Sequence, residues 1–171
     1  MILNSKKILY FIISLHLLLW TIIPAVFNIN LPLDTIEGLV WGNELRLGYD
    51  KYPPVFPLFT ELFYKIFGNR DWSFYLLSQL FVVSSFLVIF EFSKYFLKND
   101  FHRLISVLLL ETIYFLNYTT PELNAFIPLF LFLGLTALFC WKAIIYNKNI
   151  DWIAFGIFAG ISSLTYYLAF Y

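Results

Sequence analysis

Charge is what this sequence has least of. Asp, Glu, Lys and Arg make up 13% of its 171 residues, about half the roughly 25% of a soluble domain, which excludes a water-soluble globular fold. The 11 acidic and 11 basic side chains cancel, so no net field draws in a nucleic acid or an acidic partner. The one cysteine, Cys140, sits in an apolar run, and an intramolecular disulfide is excluded. The sequence also lacks the Cys/His spacing of a zinc site, a glycine-rich phosphate loop and the serine elbow of a hydrolase. It carries no internal repeat and no low-complexity tract.

What it has is apolar surface. Hydrophobic residues reach 61% and aromatics 22%, and the aromatic excess suits a chain with two lipid–water interfaces to anchor. Five apolar segments, residues 8–27, 74–92, 104–118, 125–146 and 152–171, predict an all-α integral membrane protein, a single transmembrane module of about five spans. The first follows Lys6 and Lys7 and is long enough for a bilayer core of ~30 Å at ~1.5 Å per residue. A secretory signal peptide shares that charge order. Ala25, Val26 and Phe27 after Pro24 make a poor small-x-small cleavage site, so an uncleaved anchor is the expectation. Glu111 lies inside the third segment, where a carboxylate is costly in lipid, and is expected to face the bundle or to be protonated. His16 in the first segment is expected to be a packed, hydrogen-bonded side chain. The Asn117-Tyr118-Thr119 sequon abuts a span and reads as chance.

Basic residues orient such a chain. Lys6, Lys7, Lys94, Lys98, Arg103, Lys142 and Lys148 fall on one side of the membrane, against Arg46, Lys51, Lys65 and Arg70 on the other. The asymmetry predicts a cytoplasmic N-terminus and places the loop over residues 28–72 outside the cytoplasm.

That loop is too patterned for a linker. A helix is predicted over residues 33–47, with Leu33, Ile36, Val40 and Leu47 on one side. Pro53 and Pro54 break the chain. A second amphipathic helix is predicted over 55–67, with Val55, Phe59, Leu62 and Ile66 as its apolar stripe and Glu61 and Lys65 as an i,i+4 pair on the wetter side. Both read as juxtamembrane helices lying in the interface. On the first, Asp34, Glu37, Trp41 and Glu44 share a face, and closely spaced carboxylates are a setting for general-base chemistry. Asp34-x-x-Glu37 after Pro32 reads equally as an N-terminal cap with its reciprocal partner. Lys51 is a candidate to grip a lipid-linked phosphate or a lysine snorkelling to the interface. Arg46 points away from the acidic face and is read as solvated or lipid-facing. Glu122, in the short loop before the fourth segment, is either a negative charge at a helix N-terminus or a second site carboxylate level with Asp34.

At these residues the chain resembles a family. "LDTIEGLVWGNELRLGYDKYPP" followed by "LFYKIFGNRDWSFYLLSQL" is similar to the first outer loop of polyprenyl-phosphate-sugar-dependent glycosyltransferases. These are GT-C-fold membrane enzymes related to protein O-mannosyltransferases and the lipid A aminoarabinose transferase. "TTPELNAFIPLFLFLGLTALF" resembles the family's short outer loop with an acidic residue before the fourth span. The resemblance implies a glycosyltransferase that moves a sugar from a polyprenyl-phosphate donor to an acceptor hydroxyl (on a lipid, glycan or protein) outside the cytoplasm, in a bacterial inner or cell membrane. It implies Asp34 as the catalytic carboxylate, with Glu37 as the alternative. Glu122 takes the place of the second acidic residue and Lys51 that of the basic residue near the donor phosphate, although Tyr52 intervenes before the prolines. A divalent cation is a possible cofactor. Family members are longer, so the chain is expected to be the N-terminal module of a larger architecture. Two other readings stand beside it: an inactive membrane fragment or subunit, and a small transporter or lipid-handling protein using Glu111.

Overall fold

Apolar runs of this length satisfy their backbone only as helices, and every regular element among the described residues, 5–44 and 46–170, is helical. In chain order the computed structural model has α1 (Ser5–Phe27), α2 (Leu33–Glu44), α3 (Val55–Phe67), α4 (Asp71–Ser93), α5 (Asp100–Glu111), α6 (Phe126–Tyr146) and α7 (Asn149–Ser163). Short 3-10 turns lie at Tyr114–Leu116 and Tyr167–Phe170. Leu45, inside the first expected loop helix, and Tyr171, the end of the fifth expected span, lie outside the described residues.

Three helices are long and apolar enough to cross a membrane: α1, α4 and α6. The third expected span is the 12-residue α5, only ~18 Å long at ~1.5 Å per residue. It stops at Glu111 for a local reason. Asn117 Nδ2 donates to the Glu111 carbonyl at 2.8 Å, taking an acceptor that a continuing helix would have used, and the chain turns through Tyr114–Leu116. The fifth is the 15-residue α7.

The central helix is α4, against which α1, α3, α5 and α6 all pack, with α7 on the far side of α6. Buried hydroxyls on it find partners either in the helix, as Ser85 Oγ does at the Phe81 carbonyl at 2.8 Å, or across the bundle, as Ser78 Oγ does at the Thr120 carbonyl. On α1 the buried stripe Leu9, Ile13, His16 faces the bundle, whereas Tyr10, Phe11, Leu18 and Ile22 face outward.

The first loop helix packs with its apolar stripe turned outward, as a helix lying in the interface does, and the second divides its stripe, with Val55 and Phe59 against the core. On α2 the buried residues are Thr35, Gly38 and Gly42, while Leu33, Ile36, Val40 and Leu47 are all exposed. On α3 the buried face is Phe56, Pro57, Thr60 and Glu61, with Leu62 and Ile66 exposed. Glu61, expected on the wetter side, is buried, though its pair with Lys65 is present at 3.2 Å. The physical reason is the glycine face. Gly38 and Gly42 let α2 approach α3 so closely that Thr60 Oγ1 donates to the Gly38 carbonyl at 2.8 Å. In lipid such small-residue contacts drive helix association, and apolar side chains gain nothing by turning inward.

Candidate active site

Local chemistry in the first loop builds a compact platform. Tyr49 Oη donates to the Trp41 carbonyl at 2.7 Å and the rings stack with centroids 5.7 Å apart. Tyr49 N donates to the Tyr52 carbonyl at 3.0 Å, closing the turn that carries Lys51. Tyr52 is 4% exposed and wedges among Trp41, Phe56 and Tyr166. The residue that interrupts the lysine–proline motif is therefore its anchor. A further tie comes from the chain after α7, whose Leu164 carbonyl accepts from Val55 N at 3.0 Å.

The platform aims Lys51 at both candidate carboxylates. Its Nζ donates to Asp34 Oδ1 at 3.1 Å and to Glu37 Oε2 at 2.7 Å, and lies 5.0 Å from the centroid of the Tyr52 ring. All three groups remain open to water, with Lys51 47% exposed. The hydrogen bonds to Glu37 and then Asp34 raise the Lys51 pKa well above the ordinary lysine value, so the lysine stays charged between them.

The capping reading does not hold for Asp34. Ile36 N donates to the Pro32 carbonyl at 3.1 Å, which puts Pro32 before the first turn and Asp34 inside it. Its carboxylate turns toward Lys51. Glu122 is likewise not at a helix start: α6 begins at Phe126, whose N–H is accepted by Asn124 Oδ1 at 3.0 Å. Arg46 pairs with Glu44 at 2.9 Å on the exposed surface, apart from the site.

Glu122 approaches the platform through its neighbours. Thr35 Oγ1, next to Asp34, donates to the carbonyl of Leu123 at 3.0 Å. The first turn of α2 thus rests on the loop that carries Glu122. Beneath it a cavity of about 450 Å³ is lined by Trp20, Asn28, Tyr114, Tyr118, Thr119 and Glu122, among others. Asp34, Glu37 and Lys51 do not line it. A second cavity of about 340 Å³ shares Trp20 and Ile23 with the first and runs between α1 and α5 to His16 and Glu111.

A divalent cation fits this donor set poorly. Among the described residues no three His, Cys, Asp or Glu side chains gather at one point. Between Asp34 and Glu37, where a cation would sit, the Lys51 ammonium already makes both contacts. Sequence reading passed over Tyr49 and Asn124 and took Tyr52 only as an interruption before the prolines. Their signal was present only as aromatic density around "GYDKYPP" and as Asn ahead of an apolar run.

A family model described as dolichyl-phosphate-mannose-protein mannosyltransferase matches residues 51–171, starting at Lys51 and covering the Glu122 loop. Asp34 and Glu37 precede the matched range. No curated protein and no solved structure matches the chain. The match covers well over half the chain and agrees with its apolar helices: the chain belongs to the dolichyl-phosphate-mannose-protein mannosyltransferase family, membrane glycosyltransferases of the GT-C type.

Proposed function

We propose that this protein transfers a sugar from a polyprenyl-phosphate donor to an acceptor hydroxyl at the end of the bundle that carries α2 and α3, outside the cytoplasm. The observation that carries the reading is the Asp34–Lys51–Glu37 cluster standing over the Glu122 loop. The cavity below it has the residue types that bind sugars: Trp and Tyr faces for the ring, Asn and Glu for the hydroxyls. The neighbouring cavity between α1 and α5 has an apolar wall of Ile12, Leu15, Leu19 and Leu108, which suits an isoprenoid chain, and reaches His16, Glu111 and Asn117.

One lysine serves two roles in turn. With no donor bound, Lys51 neutralises Asp34 and Glu37, which would otherwise repel one another. A donor phosphate competes for the same ammonium through charge-assisted hydrogen bonds. Drawing Lys51 away frees a carboxylate. Asp34 then takes the proton from the acceptor hydroxyl, the hydroxyl oxygen bonds to the anomeric carbon, and the bond from that carbon to the phosphate oxygen breaks. The electron pair leaves with the polyprenyl phosphate, whose charge Lys51 holds. Glu37 is the alternative base, one turn along the same face.

Membranes containing the protein test the donor class. With sugar-labelled polyprenyl-phosphate hexose, label is expected to leave the lipid; with a nucleotide sugar it is expected to stay on the nucleotide. Consumption of the nucleotide sugar alone would overturn the proposal.

A further inference from the structure

A ring of hydrogen bonds closes in the middle of the bundle, beside the second cavity. His16 on α1 is buried, edge-on to Phe86 with ring centroids 5.4 Å apart. Its Nδ1 lies 2.9 Å from Glu111 Oε1 and 3.0 Å from Oε2, and its Nε2 lies 3.0 Å from Gln79 Oε1. Gln79 Nε2 donates to Thr120 Oγ1 at 3.2 Å, and that hydroxyl donates to the Asn117 carbonyl at 2.7 Å. Asn117 Nδ2 returns to Glu111, at 2.8 Å from its carbonyl and 3.4 Å from Oε2.

The donors settle the direction. Thr120 spends its one proton on Asn117, so toward Gln79 it accepts, and Gln79 must present its amide nitrogen there. The Gln79 oxygen is then left facing His16, and His16 Nε2 must carry a proton. The other ring nitrogen faces a carboxylate. One proton fills that contact, either on Nδ1 as imidazolium beside carboxylate or on Glu111 as carboxylic acid beside neutral imidazole. Both forms are net neutral, which spares the bundle an unpaired charge. With the proton on Glu111, all the side-chain bonds run head to tail around the ring, the arrangement in which each strengthens the next.

We infer that His16 and Glu111 form a one-proton site inside the membrane bundle, and that this ring makes Gln79 and Thr120 positioning residues for the loop carrying Glu122. The loop is held from both sides. Ser78 Oγ donates to the Thr120 carbonyl, and three residues on the Leu123 carbonyl accepts Thr35 from the turn that carries Asp34. The role in placing Glu122 rests on the proposed function; the proton site does not.

The test is nitrogen-15 NMR of the full chain in detergent or lipid, labelled at histidine to read the ring nitrogens and uniformly to read the backbone amides. The protein has two histidines, and the exposed His102 on α5 serves as the solvent reference. His16 is expected to show a protonated Nε2 and an Nδ1 that shares its hydrogen. In Glu111→Gln, whose amide donates to Nδ1, that nitrogen is expected to shift to a bare acceptor while Nε2 keeps its proton. Thr120→Val is expected to move the amide signals of Glu122 and Leu123, and Thr120→Ser to restore them. A bare Nε2 in the wild-type protein would overturn the one-proton site whether or not the Glu111 variant folds. Unmoved Glu122 and Leu123 signals in Thr120→Val would overturn the positioning role. Neither readout depends on sugar transfer, so failure here is separable from failure of the proposed function.

Discussion

Replacing Gly42 by alanine should separate the two loop helices and take the candidate site apart without touching a charged group. A Cβ at Gly42 would stand 2.5 Å from the Pro57 carbonyl oxygen and 2.9 Å from Glu61 Cβ. The first of these is helix backbone, which cannot rotate away. Restoring ordinary contact requires α2 to withdraw from α3 by close to 1 Å, on the scale of the contacts that overpacking disrupts at a cost of about 1–3 kcal/mol. A backbone neighbour places Gly42 at the upper end. Alanine recovers about 1 kcal/mol of helix propensity, leaving a net loss of about 2 kcal/mol. Gly160 on α7 is the control: a Cβ there meets nothing within 4 Å, so Gly160→Ala should gain about 1 kcal/mol. Denaturant unfolding in a mild detergent, run on both variants, reads the difference. Because α2 carries Asp34 and Glu37 to Lys51, the Gly42 variant should also lose most of its transfer activity. Equal stability of the two variants would refute the close packing of α2 on α3.

The remaining predictions concern the site and its orientation. Lys51→Gln removes two half-exposed ion pairs worth about 0.2–1 kcal/mol each, so stability should fall by about 1 kcal/mol. Transfer should fall by roughly 100-fold or more, as when one donor to a developing oxyanion is removed; comparing unfolding with rate separates the two. Because the carboxylates raise the Lys51 pKa, the pairing is fully present below the ordinary lysine value of about 10.4 and is lost only as pH rises through the raised one. The stability deficit of Lys51→Gln should therefore be the same at about pH 7 and pH 10, and a deficit that vanishes by pH 10 would contradict the pairing. In a Cys140→Ser background, an impermeant thiol reagent applied to intact cells should label a cysteine at the exposed Asn43 and miss one at the exposed Asn99; the reverse would invert the orientation.

Much of the layout was legible because membranes impose simple rules. Long apolar runs give α1, α4 and α6, and the proline pair Pro53–Pro54 marks the break before α3. Facing was legible in part. The exposed stripe Leu33, Ile36, Val40 fits the interfacial helix its pattern predicts, whereas the contact of α2 with α3 is made by Gly38 and Gly42, which carry no apolar signal. Glu111 was readable as an inward-facing group, since a carboxylate in an apolar segment has few alternatives. Its partners His16, Gln79 and Asn117 come from three separate segments, and no local spacing joins them. The same holds for Lys51. Its identity suggested a phosphate, whereas its contact with two carboxylates follows from Tyr49 and Tyr52 packing on Trp41, a tertiary arrangement with no periodic signature.

The most direct test is the rate of sugar transfer from polyprenyl-phosphate hexose by wild-type protein, Asp34→Asn and Glu37→Gln, measured in the same membranes at equal protein level. Both substitutions keep side-chain size and leave the contacts of Thr35 and Gly38 in place. The account predicts a loss on the order of 100-fold or more for Asp34→Asn, the usual contribution of a general base, and a smaller loss for Glu37→Gln. A large loss confined to Glu37→Gln would move the base one turn along α2. Wild-type transfer that both variants match would contradict the account, because the carboxylates that Lys51 holds would then take no part in the reaction.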